Sequence, residues 1–252
     1  MKKILILLLI FIVSAIAFAG GTKEKADDSV IKIGATYPLT GGVAPIGLNI
    51  KRGVDFAVKE INDSGGVLGK KLQVVYGDTT GDAKAGMAEA ERLITREKVS
   101  IILGSYQSAV TNVVSEVAQR YETPNITAIS TADVITTRGY DYFFRLAPTN
   151  MLFLRDMIQY CADVNKKYNL GYRTVGIITG NDLLGQESRK WAKFWSEKLG
   201  FRVISEVQYT INAVDLSTEV LTVKNANPDI LVIDPYISDA ILITKTLHEQ
   251  GF

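Results

Sequence analysis

Residues 99–110 read VSIILGSYQSAV. The apolar run Ile101-Ile102-Leu103 stops at Gly104. Four hydrogen-bonding side chains follow: Ser105, Tyr106, Gln107 and Ser108. A helical pattern then begins, with Val110, Val113, Val114, Val117 and Tyr121 on one face. An apolar run without alternation fits a strand buried on both faces. A helix directly after such a strand is half of a parallel crossover.

The same unit recurs along the chain. Strands are predicted over Ile31–Thr36, Leu72–Tyr76, Val99–Gly104, Asn125–Ser130, Tyr142–Leu146, Thr174–Thr179, Val203–Tyr209 and Ile230–Ile233. Between the first two, Ile50, Val54, Ala57, Val58 and Ile61 share a helical face that Asn62-Asp63-Ser64-Gly65-Gly66 ends. Repeated strand–helix–strand units mean doubly wound parallel α/β sheets with right-handed crossovers. Two such sheets are expected; a single continuous sheet would show a similar pattern. Around Ala147-Pro148-Thr149-Asn150 the chain is extended, because Pro148 disfavours helix just before it. A long helix pattern, Asn150 to Lys167, then opens the second unit. The expected organisation is a lobe over residues 31–147 and a second over 148–252. The second has only three predicted strands and stops at Phe252 where another would begin, so it is expected to be incomplete.

The chain has 252 residues, 47% of them apolar, and a net charge of +1. That balance gives no electrostatic footprint for nucleic acid. Lys2 and Lys3 precede an apolar stretch from Ile4 to Val13, and Ala17-Phe18-Ala19 closes the segment. This is the pattern of a cleaved signal peptide over residues 1–19, and the stretch is short for a spanning helix of roughly 20 residues. Residues 20–30 read as a polar mature terminus. A periplasmic or extracellular protein is expected. The only cysteine, Cys161, excludes an internal disulfide and does not follow the signal, so a lipid anchor is not expected. It falls among Leu154, Ile158 and Ala162 at helical spacing and reads as a small buried hydrophobe.

In open parallel sheets, ligands bind beyond the carboxyl ends of the strands. Polar residues gather there repeatedly: Tyr106–Ser108 after the third strand, Ser130, Thr131, Ala132 and Asp133 after the fourth, Asn181-Asp182 after the sixth, and Asp234-Pro235-Tyr236 after the eighth. Ser108 has two compatible readings, a helix cap and a contact to an anion at a helix N-terminus. Asp133 either caps the short run Val134–Thr137 or faces a ligand ammonium. Tyr236 either stacks on a ligand or covers the sheet edge. Trp191 and Trp195, one helical turn apart, read as packing residues.

Taken together, IGATYPLTGG (33–42), GVDFAVKEINDSGGVLGKKLQVVYGDT (53–79), IILGSYQSAV (101–110), ISTADVITTRGYDYFFRLAPTN (129–150) and VGIITGNDLLGQES (175–188) resemble the branched-chain amino-acid-binding proteins of ABC importers, with their type I periplasmic binding fold. The resemblance implies two lobes joined by a hinge, a small ligand such as an amino acid clamped between them, and an ABC permease of the inner membrane as partner. It implies that Ser108 and neighbouring N–H groups, with Tyr106 and Gln107 beside them, hold a carboxylate. It implies that the Ala132 carbonyl takes the ammonium, with Ser130, Thr131 and Asp133 nearby, and that Tyr236 closes from the second lobe. Leu184 and Ile46 depart from the aromatic residues of leucine-binding members. The family's second-lobe carboxylate would fall beyond Phe252.

Other classes fit less well. No G-x-S-x-G elbow is present, and the single histidine, His248, sits near Glu249 on the last helix pattern as a surface residue. Lys71 replaces the Ser or Thr that a P-loop after Gly69-Lys70 would need. One Cys and one His give no zinc spacing. Asp78 and Asp82 fit a capped strand–helix turn better than a metal loop. The expectation is a solute-binding protein with no catalytic activity and no cofactor. The alternatives are a ligand sensor feeding a chemoreceptor or kinase, or a secreted hydrolase.

Overall fold

The computed structural model of the chain describes residues 29–252. The signal segment expected over 1–19 and the first part of the polar terminus lie outside the described residues. Eight strands alternate with eight helices among the described residues.

The first sheet has strand order β2-β1-β3-β4-β5, all parallel. Its strands are β1 (Val30–Tyr37), β2 (Lys71–Asp78), β3 (Ile102–Gly104), β4 (Asn125–Thr127) and β5 (Phe143–Arg145). Helices α1 (Ala44–Asp63), α2 (Ala83–Thr95), α3 (Ser108–Arg120) and α4 (Val134–Thr137) connect them. The second sheet has order β7-β6-β8, also parallel, from β6 (Thr174–Gly180), β7 (Arg202–Tyr209) and β8 (Ile230–Ile233). Helices α5 (Asn150–Tyr168), α6 (Leu183–Lys198), α7 (Ser217–Ala226) and α8 (Ile237–Glu249) surround it.

Burial follows the apolar runs. Val99, Ile102, Ala90, Leu93, Val110, Val114 and Val117 form one core between β3, α2 and α3. In the second sheet adjacent residues divide the faces, as side chains on a strand must. Val175 and Ile177 pack with Leu154 and Ile158 of α5 and Ala192 of α6. Ile178 packs on the other side with Leu216, Val220, Val223 and Ile243. Both faces of this sheet are therefore covered, which is the doubly wound arrangement.

Several strands are shorter than expected. β3 covers only Ile102–Gly104, although the Gly34 N–H still bonds the Ile101 carbonyl at 2.9 Å and the Ser100 N–H bonds that of Lys32 at 2.9 Å. β4 stops at Thr127, because the Thr127 hydroxyl takes the N–H groups of Ile129 and Ser130 and turns the chain. On α1 the expected face is only partly covered: Ile50, Val54 and Val58 are half-buried, while Ala57 and Ile61 are exposed. Tyr121, expected on the buried face of α3, lies just past its end and is exposed. Cys161 is half-buried rather than buried. Asp82 caps α2 through the Ala85 N–H at 2.9 Å, and Asp78 accepts the N–H groups of Leu39 and Thr80 at 2.8 Å, so this loop is a capped turn.

Each sheet has a switch point where successive crossovers leave in opposite directions, between β1 and β3 in the first and between β6 and β8 in the second. The loops after these strands flank crevices at the carboxyl edges, where doubly wound proteins bind ligands.

Candidate functional site

A cavity of about 280 Å³ opens between the two switch points. The first sheet contributes Tyr106, Ser108, Ile129, Ser130 and Thr131. The second contributes Leu184, Asp234, Pro235 and Tyr236, and the first turns of α5 add Asn150, Phe153, Leu154 and Met157. The two sides meet. The rings of Tyr106 and Tyr236 stand 5.5 Å apart at 56°, and Ser238 Oγ donates to the Gly42 carbonyl at 3.2 Å.

The polar run after β3 divides its labour. Tyr106 and Ser108 reach the cavity; Ser105 and Gln107 do not. Ser105 Oγ pairs with Thr36 Oγ1 at 2.8 Å, and the Ser105 carbonyl accepts from Thr127 Oγ1 and Ser130 Oγ at 3.0 Å each. Thr111 Oγ1 accepts the Ser105 N–H at 3.1 Å. Asn125, fully buried, donates to the Ile102 carbonyl at 3.2 Å and the Gly104 carbonyl at 2.9 Å. Buried polar groups must find partners, and here they fasten the loop that presents Tyr106 and Ser108. Ser130 is the centre of this network, since its hydroxyl also meets the Tyr106 carbonyl at 3.0 Å and Thr111 Oγ1. Ser130→Ala leaves these groups short of a partner. The expected loss is about 2 kcal/mol of stability, read from urea denaturation.

Four of these residues stand differently from their expected placement. Gln107 stands at the N-cap position of α3 without a capping side-chain bond, and its buried amide donates to the Gly81 carbonyl at 3.4 Å instead of lining the cavity. Asp133 neither caps α4 nor lines the cavity. Its backbone is already helical, so its carboxylate points to the other side and accepts the Met151 N–H at 3.1 Å and Trp191 Nε1–H at 2.9 Å. Ala132 is fully buried, and its carbonyl accepts Arg145 Nη1–H at 2.8 Å, a cation supplied by the chain itself. Ser108 is the first residue of α3 rather than its cap, and its Oγ accepts the Ala132 N–H at 3.4 Å. Trp191 packs as expected beside Trp195, but its ring N–H also ties α6 to the first sheet's Asp133.

Sequence reasoning passed over Asn150 and did not single out Asp234. Burial pushes the Asp234 carboxyl above the usual carboxylate range, and the Ser188 hydroxyl, donating at 2.6 Å, opposes that shift. Asn150, with its amide nitrogen towards Asp234, donates at 3.1 Å while its oxygen takes the Ser188 N–H at 3.2 Å. A second-lobe carboxylate thus lines the cavity, where the resemblance had implied one only beyond Phe252. Tyr236 is 8% exposed and donates to Asp182 Oδ2 at 2.8 Å; burial and that carboxylate hold its phenol protonated. Asp182 also caps α6 through the Gly185 N–H at 3.0 Å. No group of acidic, Cys or His residues able to hold a metal ion occurs among the described residues.

Two parallel sheets thus turn their switch points towards one cavity. A family model described as "Periplasmic binding protein" matches residues 30–252, and the chain belongs to that family. "Leu/Ile/Val-binding protein homolog 7" of Brucella abortus is 32% identical over 241 residues, 93% of this chain and 58% of the relative. A crystal structure of the leucine binding protein LivK from Thermotoga maritima superposes with a TM-score of 0.77 at 25% identity, covering 88% of this chain and 61% of that one. A Rhodopseudomonas palustris solute binding protein in complex with 4-hydroxybenzoate gives 0.78 at 23% identity, covering 88% and 58%. The chain therefore spans about three fifths of the length of these proteins. All are described as binding proteins.

Proposed function

We propose that this chain is the extracytoplasmic solute-binding component of an ABC importer. In this reading, residues 31–147 and 148–252 are its two lobes. A small polar solute, an amino acid of the branched-chain type or a related amide, is captured between them and handed to a membrane permease. Residues 1–19 act as a cleaved signal that delivers the chain to the periplasm or cell exterior.

The observation that carries the reading is the cavity itself, lined by the switch-point loops of both sheets, with Tyr106 and Tyr236 in ring contact where the two sides meet. A ligand touching both sides stabilises the closed arrangement over the open one, and a permease can read that difference. About 280 Å³ suits an amino acid and is small for a drug-sized ligand. Tyr106, Ser108, Ser130, Thr131, Leu184 and Tyr236 are the proposed contacts, joined by Asn150 and Asp234. The relatives' descriptions, Leu/Ile/Val-binding and leucine binding, support the amino-acid class.

The test is a thermal-shift screen of the purified chain against the standard amino acids, their amides and simple organic acids. A cognate solute at 100 times its Kd should add roughly 2.7 kcal/mol to the folded state. The same shift should shrink in Ser108→Ala. A cooperative transition that no solute moves would sink the proposal.

A further inference from the structure

We infer that Tyr106 and Tyr236 form a reciprocal clasp between the two sheets, each phenol oxygen accepting the first N–H of the helix that belongs to the other sheet. The clasp holds the cleft shut through the chain's own contacts. It is a property of the joint between the sheets and stands apart from the solute-binding reading.

Ser108 and Ile237 are the first residues of α3 and α8, and neither helix is capped by the side chain of the residue before it. The first N–H groups of a helix have no partner within it. Ser108 is buried, so its N–H is withdrawn from water and needs an acceptor. The acceptors come from across the joint. Burial raises the pKa of both phenols, and two backbone groups oppose the rise: the Ser108 N–H at the Tyr236 oxygen and the Ile237 N–H at the Tyr106 oxygen. Tyr236 stands directly before α8, and Tyr106 stands two residues before Ser108. Each tyrosine therefore bypasses its own helix and serves the other's.

A tyrosine hydroxyl has one proton to give and lone pairs with which to accept. Tyr236 gives its proton to Asp182 Oδ2 at 2.8 Å. That fixes the hydroxyl, leaves its oxygen for the Ser108 N–H, and makes the oxygen a stronger acceptor. Ser238, in the same first turn of α8, adds its bond to the Gly42 carbonyl, between residues 196 positions apart. Other ties sit where the chain crosses from one sheet to the other. The Asn150 N–H bonds the Thr131 carbonyl at 2.7 Å, and Asp133 takes the Met151 N–H at 3.1 Å. These can act as a pivot while the sheets part. The clasp cannot, because its halves lie on loops that separate. A solute's acceptor reaches the Ser108 N–H only by displacing the Tyr236 oxygen.

Electron–electron distance measurements between two spin labels test this without a solute. The labels go on Leu68→Cys, in the turn before β2, and Tyr168→Cys, at the end of α5, both exposed, in a Cys161→Ser background. With the tyrosines intact, one distance should dominate. Tyr106→Phe and Tyr236→Phe keep the rings and remove only the hydroxyls. Each should raise the ratio of a second, open distance to the closed one about fivefold, as expected for one lost hydrogen bond. Tyr209→Phe is the comparison. Its hydroxyl is buried and paired with Asp239 inside the second sheet's unit, so the distances should not change. A broad distribution with the tyrosines intact overturns the clasp, even if a variant folds poorly. So does no change in the two Tyr→Phe variants, a change in only one of them, or an equal change in Tyr209→Phe. Solute binding is scored separately in the thermal-shift screen, so either reading can fail alone.

Discussion

Gly185→Ala is expected to lower the stability of the second sheet's unit by about 3 kcal/mol. Gly185 lies in the first turn of α6, directly above the end of β6. A Cβ built there meets the Gly180 carbonyl oxygen at 2.0 Å, its carbon at 2.6 Å and the Gly180 nitrogen at 2.8 Å. All three atoms are backbone, so no rotamer change relieves the overlap. Either β6 or the start of α6 has to move. β6 is the central strand of its sheet, hydrogen-bonded on both sides, so α6 is the part that gives way. Moving it breaks the Asp182 cap, which depends on the Gly185 N–H at 3.0 Å, and disturbs Leu184 and the Tyr236–Asp182 bond. Stability and ligand affinity should therefore fall together. A thermal midpoint lowered by about 6–12 °C is the expected reading. A midpoint within 2 °C of wild type, about the shift of a single kcal/mol, would show that the close approach is not required. Gly47 is built alike in the first sheet's unit, where a Cβ would meet the Pro38 carbonyl oxygen at 1.8 Å. Both units thus bring the helix after their first strand down onto the strand's exit loop, which is how the switch-point loops are held in place.

Most of the fold was legible because its signal is local. Runs such as Ile101-Ile102-Leu103 and Val175–Thr179 are apolar without alternation, and all eight predicted strands overlap the observed ones. The four-residue helix Val134–Thr137 and the start of α5 at Asn150 are also where they were expected. The site was legible only in part. That polar residues cluster at strand ends follows from sequence; which way each side chain turns does not. Ser105 and Gln107 are neighbours of Tyr106 and Ser108 but satisfy buried carbonyls and hydroxyls instead of the cavity. Asp133 is taken by Met151 and Trp191, residues 18 and 58 positions away. Asn150 and Asp234 gain meaning only because Ser188 stands between them, and the three are spread over 84 residues of chain. The one local hint was that Asp234 ends an apolar strand directly before Pro235 and Tyr236, at the same kind of position as Ser105 after β3.

Leu154→Ala should also cost about 3 kcal/mol, and it should change what the cavity accepts. Leu154 is 1% exposed and packs with Ile158, Val175 and Ile177 in the second core, yet it also lines the cavity wall. Truncating it removes apolar contacts on both sides at once. Ile177→Ala is the matched comparison: Ile177 is fully buried in the same core but does not line the cavity. Both variants lose the transfer energy of the deleted methyl groups. In Ile177→Ala the void is enclosed and stays empty, so nothing added from outside recovers the loss. In Leu154→Ala the void joins the ligand space. A solute with a longer apolar chain can then fill it and restore contacts that the smaller solute cannot reach. Affinity should accordingly shift towards longer side chains in Leu154→Ala, for example from valine towards methionine, with no such shift in Ile177→Ala. Paired calorimetric titrations of the two variants with valine, leucine and methionine measure this directly. An equal change of preference in both would mean that the wall and the core do not share Leu154 in the way its burial indicates. A change confined to Leu154→Ala would identify the first turns of α5 as the part of the site that measures the length of the ligand's apolar chain.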